Sequence, residues 1–278
     1  MKTILIPIPI LILILILTST GYSLNIPSNT RIDHWVREYA EKRRPHFQSS
    51  LTRSSLYIDT IREVFRENNI PIELSWIPFV ESGFNCAAKS SSEAAGCWQF
   101  IPDTGRSFGL KKGAWKDQRY DFRLSTIAAA EYLNELYSMF GDWELAIAAY
   151  NGGPTRIKKE IKRSGKDFWN LKLKSETMNY IPKLFAVIII IRKLKEYGFK
   201  ERESDLIIVT LKKGSHRLSK IAKILQVGYD EFESINPGYE IGYTPPGIET
   251  KIYLKKDWGI EFLEVFGYLS KKNAPSVN

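Results

Sequence analysis

The feature that most constrains this chain is a change in the spacing of its apolar residues near position 204. Before it, they recur at helical intervals. "IDHWVREYAEKRR" puts Ile32, Trp35, Val36 and Tyr39 on one face, and "YIDTIREVFREN" does the same with Ile58, Ile61, Val64 and Phe65. "RLSTIAAAEYLNELYSMF" is rich in good helix formers, and "GDWELAIAAY" follows with Asp142 placed to cap it. "KSETMNYIPKLFAVIIIIRKLKEYG" predicts one long helix, bent near Pro182, with Gly198 just past its end. Its run Leu184 to Ile191 is too short to cross a bilayer and predicts a buried core helix. After residue 204 the pattern becomes strand, helix, helix, strand: "LIIVTL" (206–211), "LSKIAKILQ", "YDEFESI" and "KIYL" (251–254). The expected fold is therefore mainly α, a helical domain over 24–204 followed by a small βααβ module over 205–255 and a tail over 256–278.

The first residues, "MKTILIPIPILILILILTSTGYS", combine Lys2, an apolar stretch from Ile4 to Leu17 and small polar residues. This is the pattern of a secretory signal peptide, 1–23, cut near Ser23, with an uncleaved anchor as the alternative. Pro7 and Pro9 interrupt the stretch, and it is shorter than a membrane span requires. The mature protein is expected outside the cytoplasm, periplasmic or attached to the cell envelope, with no stable membrane span. In that compartment the net charge of +9 no longer points to nucleic acid. An acidic extracellular polymer, an anionic membrane surface and a generic basic surface all remain open.

The stretch "FVESGFNCAAKSSSEAAGCWQF" (79–100) carries the chemistry. Glu81 follows an apolar run, and a carboxyl in such a setting has its charged form disfavoured and its pKa raised. That suits a general acid near neutral pH. Ser90 to Ser92 and Gln99 supply neutral polar groups. Trp76, Trp98 and Tyr150 are candidate flat faces for sugar rings, and Tyr150-Asn151-Gly152-Gly153 offers a phenol and an amide at a helix end. Each piece alone also reads blandly: a solvated Glu, a core tyrosine, a helix-capping Asn.

Taken together, "ESGF" (81–84), Ser90, "AAGCWQFIPDTG" (94–105), "AAYNGGP" (148–154) and "ETMNYIPKL" (176–184) form an ordered series. It resembles the family-1 lytic transglycosylases, goose-lysozyme-like murein enzymes, and in particular the membrane-bound type D. The resemblance implies a lysozyme-like fold and Glu81 as the sole catalytic acid and base. Ser90 would polarise the reacting sugar's N-acetyl group. Gln99, Tyr150 and Asn151 would contact substrate, and Glu176 and Tyr180 match the family's late Glu and Tyr. It also implies scission of the MurNAc–GlcNAc β-1,4 bond of peptidoglycan with 1,6-anhydro ends, by a monomer using no metal or cofactor. A hydrolase on the same fold and a non-catalytic wall-binding protein are the rival readings. The segment 209–237 resembles a LysM module, which implies glycan binding, although Ser215 and "GYTPPGIET" depart from that pattern. Cys86 and Cys97 stand where the family often has Pro and Ile or Leu. As the chain's two cysteines in an oxidising compartment they are a candidate disulfide.

Overall fold

The computed structural model describes residues 24–269. The signal-peptide reading, 1–23, and the end of the tail, 270–278, lie outside the described residues. Among the described residues up to position 200 there are nine α-helices: α1 (Thr30–Arg37), α2 (Arg44–Ser54), α3 (Ile58–Glu67), α4 (Ile77–Ser82), α5 (Pro102–Ser107), α6 (Phe122–Phe140), α7 (Trp143–Gly152), α8 (Pro154–Ser164) and α9 (Ser175–Arg192). They enclose one core in which α9 is the centre: Tyr180, Ile181, Leu184, Phe185, Ala186, Val187, Ile188 and Ile190 are all buried. A helix apolar on every side has to be wrapped by others, and α1, α4 and α7 pack on it.

The expected cap forms: Asp142 accepts from Leu145 N–H (2.8 Å) at the start of α7. Asp121 does the same for α6, accepting from Leu124 N–H (3.1 Å). Between those helices the chain turns at Gly141 in the left-handed region, φ 69°. Buried Ala128, Ala129, Ala130, Ala146, Ala148 and Ala149 let α6 and α7 lie close together. Two sequence expectations need correction. The α-helix α9 runs through Pro182 and ends at Arg192, six residues before Gly198, with the intervening residues in turns. Trp98 is fully buried and Trp76 is 6% exposed, so neither offers a face to a ligand. Trp98 donates its indole N–H to Thr126 Oγ1 (3.0 Å) inside the core.

From Leu206 the chain forms β1 (Leu206–Leu211), α10 (Leu218–Ile224), α11 (Tyr229–Ile235) and β2 (Thr250–Lys255), then α12 (Ile260–Val265). β1 and β2 pair antiparallel, from Leu206 opposite Lys255 to Leu211 opposite Thr250. A second core gathers Val209, Leu211, Ile221, Phe232, Ile252 and Leu254, and it extends past residue 255 to Trp258 and Leu263. This unit is seated on the helical domain. Ser204 N–H donates to Ser55 Oγ (2.7 Å), the rings of Tyr57 and Tyr253 meet edge to face (6.0 Å), and Asp117 N–H donates to the carbonyl of Gly238 (2.7 Å).

Candidate active site

Glu81 is the last but one residue of α4. The helix stops directly after it because Gly83 takes the left-handed conformation, φ 58°. A Cβ there would also come within 2.7 Å of Ser50 Oγ, so glycine is required for both reasons. Arg53 fixes the turn by donating from Nε to the Gly83 carbonyl (2.8 Å). The carboxyl of Glu81 is half-buried and accepts a hydrogen bond from the Tyr180 hydroxyl (2.6 Å) on α9. Burial pushes its pKa up to about 7. The Tyr180 hydrogen bond opposes that rise, Glu176 adds to it, and Lys183 opposes it. Burial and the charge of Glu81 hold the phenols of Tyr180 and Tyr150 well above their ordinary range, so both stay neutral donors.

The small-residue stretch forms a tight loop beside this acid. Cys86 and Cys97 are joined in a disulfide, Cα atoms 4.0 Å apart. Gly96 N–H donates to the Ala88 carbonyl (2.9 Å), and Ala95 N–H donates to the Phe100 carbonyl (3.1 Å). The Ser90 hydroxyl accepts from Ser92 N–H (3.2 Å) and Ala94 N–H (3.0 Å), so its oxygen folds the loop and its own proton is left to donate outward. Gln99 sits at φ 50° and donates its amide to the carbonyls of Gly96 (2.7 Å) and Ala88 (3.3 Å), which leaves its oxygen to accept. Ser82 Oγ donates to the Cys97 carbonyl (2.9 Å) and ties the loop back to α4.

The structure thus draws Glu81, Tyr150 and Tyr180 into one electrostatic group. Tyr150 donates its hydroxyl to the Trp98 carbonyl (2.9 Å). The next residue, Asn151, has a buried side-chain oxygen with no hydrogen-bond partner among the described residues. An acceptor left so is costly unless a ligand donor reaches it. Glu176 is exposed in the first turn of α9 and acts on Glu81 through its charge. Among the described residues no group of three or more His, Cys, Asp or Glu is placed to hold a metal ion.

Three contributors escaped the sequence reading. Lys183 lies over the Trp35 ring (4.7 Å) within the field of Glu81 and Glu176. Asp117 and Arg119 form a buried ion pair (2.7 Å), and Arg119 also donates to the carbonyls of Glu93 (2.6 Å) and Phe100 (3.0 Å), spanning the small-residue loop. A lone charged pair inside "KDQRYD" gives no periodic signal to find it by.

The arrangement supplies one carboxylic acid that can hold a proton at neutral pH and release it. A reaction needing that proton should proceed steadily in mildly acidic buffer and slow as pH rises through about 7. Tyr180→Phe removes the hydrogen bond that favours the carboxylate, so the falling limb of the pH–rate profile is expected to move to higher pH. An unmoved limb would mean that a different group sets it.

Residues 61–171 match the family described as Transglycosylase SLT domain. The chain is 35% identical over 224 residues to membrane-bound lytic murein transglycosylase D of Escherichia coli K12, an alignment covering 77% of this chain and 49% of that protein. It therefore spans about half the length of the curated relatives it matches. Among solved structures, the 70 kDa soluble lytic transglycosylase of Escherichia coli is 22% identical with a TM-score of 0.45, covering 63% of this chain and 32% of that one. Lytic transglycosylase Slt of Pseudomonas aeruginosa is 24% identical with a TM-score of 0.42, covering 51% and 25%. The part of the chain that carries Glu81, Ser90, Gln99, Tyr150 and Asn151 thus lies within the segment that matches the Transglycosylase SLT domain family.

Proposed function

We propose that this chain is a peptidoglycan lytic transglycosylase that cleaves the MurNAc–GlcNAc β-1,4 bond. The observation that carries the proposal is Glu81: a carboxyl with a pKa of about 7, hydrogen-bonded by Tyr180 and flanked by a neutral Tyr150. Most glycosidases use two carboxylates. Here one suffices if the substrate supplies the nucleophile. Glu81 gives its proton to the glycosidic oxygen as the bond from the muramic anomeric carbon breaks. The oxygen of that sugar's 2-acetamido group takes the vacated position on the carbon. Ser90, whose hydroxyl proton is free to donate, polarises this acetamido group. The Glu81 carboxylate then removes the proton of the 6-hydroxyl, whose oxygen displaces the acetamido oxygen and closes the 1,6-anhydro ring. Glu81 is protonated again and no water has been consumed. The acceptor oxygens of Gln99 and Asn151 suit sugar hydroxyl and amide donors.

The βααβ unit is assigned the role of holding glycan strands, as its LysM-like sequence suggests, and the protein works as a monomer in the cell envelope after export. Among the described residues no helix is long and apolar enough to cross a membrane. Mass spectrometry of products from purified peptidoglycan tests the reading. Anhydromuramic ends, lighter by one water than reducing ends, are expected. Reducing ends would make the protein a hydrolase, and no release at all would make it a wall-binding protein.

A further inference from the structure

The second unit touches the helical domain at one consequential place. Residues 237–240, between α11 and β2, run alongside 115–117. Asp117 N–H donates to the Gly238 carbonyl (2.7 Å), and Glu240 N–H donates to the Trp115 carbonyl (3.1 Å). Lys112 pairs with Glu240 (3.6 Å), and Lys116, itself paired with Asp121 (2.9 Å), lies over the Tyr239 ring (5.2 Å). Gly238 is at φ 83°, and a Cβ on it would meet Tyr120 Cδ2 at 2.7 Å and Tyr120 Cβ at 3.1 Å. The two backbones approach this closely only because the residue is glycine.

What this contact holds is the base of the catalytic loop. Asp117 is 1% exposed and takes the Arg119 guanidinium at both carboxylate oxygens. Arg119 then reaches the carbonyls of Glu93 and Phe100, the two sides of the segment that carries Ser90 and Gln99. Its own carbonyl lies so near Gly96 that a Cβ there would stand 2.1 Å away. Every link from Gly238 to the loop is a hydrogen bond or a buried ion pair.

We propose that the C-terminal βααβ unit braces the catalytic loop: segment 237–240 fixes Asp117 and Arg119, which act as positioning residues for Ser90 and Gln99. The proposal rests on the transglycosylase reading for its kinetic consequence. It adds to that reading a role for the second unit that needs no glycan bound to it. Small displacements of positioned groups are costly in rate.

The test is Gly238→Val in the full chain, measured on short soluble peptidoglycan glycans and by amide hydrogen exchange. The expected result is a kcat lower by about tenfold or more, with KM changed by less than about twofold. Faster exchange is expected at Ala94, Ala95 and Gly96, whose N–H groups are all bonded within the loop. Exchange that quickens only at 115–121 and 237–240, or a kcat that stays at the wild-type value, overturns the proposal. If Gly238→Val does not fold, Gly238→Ala, with the smaller side chain at the same position, gives the same two readouts. A wild-type protein that releases no product refutes the transglycosylase reading instead, and exchange at the loop then decides the brace by itself.

Discussion

Glu81→Gln is expected to lower turnover on purified peptidoglycan by at least about a hundredfold, since general acid catalysis is typically worth 10²–10⁴ in rate. The amide keeps the shape of the carboxyl, and its oxygen can still accept from Tyr180, now at 2.6 Å from Glu81 Oε1. It cannot donate the proton that the leaving oxygen needs, nor remove one from the 6-hydroxyl. The fold should survive, and the pH dependence of stability supplies a check of the cause. The pKa of Glu81 is raised by folding, so the stability it contributes is complete below the ordinary carboxyl range and is lost as pH rises through about 7. The variant carries no such group. Its thermal midpoint, relative to wild type, should therefore be higher at about pH 8 than at about pH 4. A variant keeping more than about a hundredth of the activity would show that a second acid serves the reaction.

Arg119→Met is expected to have the largest effect on stability. It leaves Asp117 buried with no counter-charge, and the carbonyls of Glu93 and Phe100 lose their donor. Breaking one side of a buried ion pair costs about 3–5 kcal/mol. For a domain of this size that corresponds to a thermal midpoint lower by at least roughly 6 °C. Arg119→Lys keeps the charge without the planar fork and should fall between. Calorimetry or thermal circular dichroism at neutral pH reads all three proteins. A midpoint for Arg119→Met within about 2 °C of wild type would mean that the pair contributes little.

Which parts of this molecule could be read in advance follows from where its information lies. The helices of the first domain and the order β1, α10, α11, β2 were legible because apolar spacing and capping residues such as Asp142 are local signals. Glu81 was legible from the apolar run before it, and Tyr180 from the motif that holds it, although the hydrogen bond between them is a property of the fold. Trp76 and Trp98 were misjudged because an aromatic with a polar neighbour, Ser75 for one and Gln99 for the other, does not announce which way it faces. Both turn inward, and Trp98 is satisfied there by Thr126, 28 positions away. Ser90 and Gln99 were found as polar groups, but how they divide their donors and acceptors depends on loop bonds that spacing does not encode. The contact of 237–240 with 115–117 was not legible, since two backbone hydrogen bonds and one glycine bring the segments together and neither carries a periodic signal.

The hydrogen bond from Tyr180 to Glu81 joins residues 99 positions apart, and the bond from Trp35 to Asn179 spans 144. Contacts of such high sequence separation form only after long loops have closed, which makes them slow and late in folding. During synthesis from the N-terminus, the chain as far as α8 contains the acid, the serine loop and Tyr150 but not the strand of helix that completes them. A nascent chain therefore carries an incomplete site until α9 has been made and packed. On the proposed transglycosylase reading, the chain becomes a catalyst only near the end of its folding.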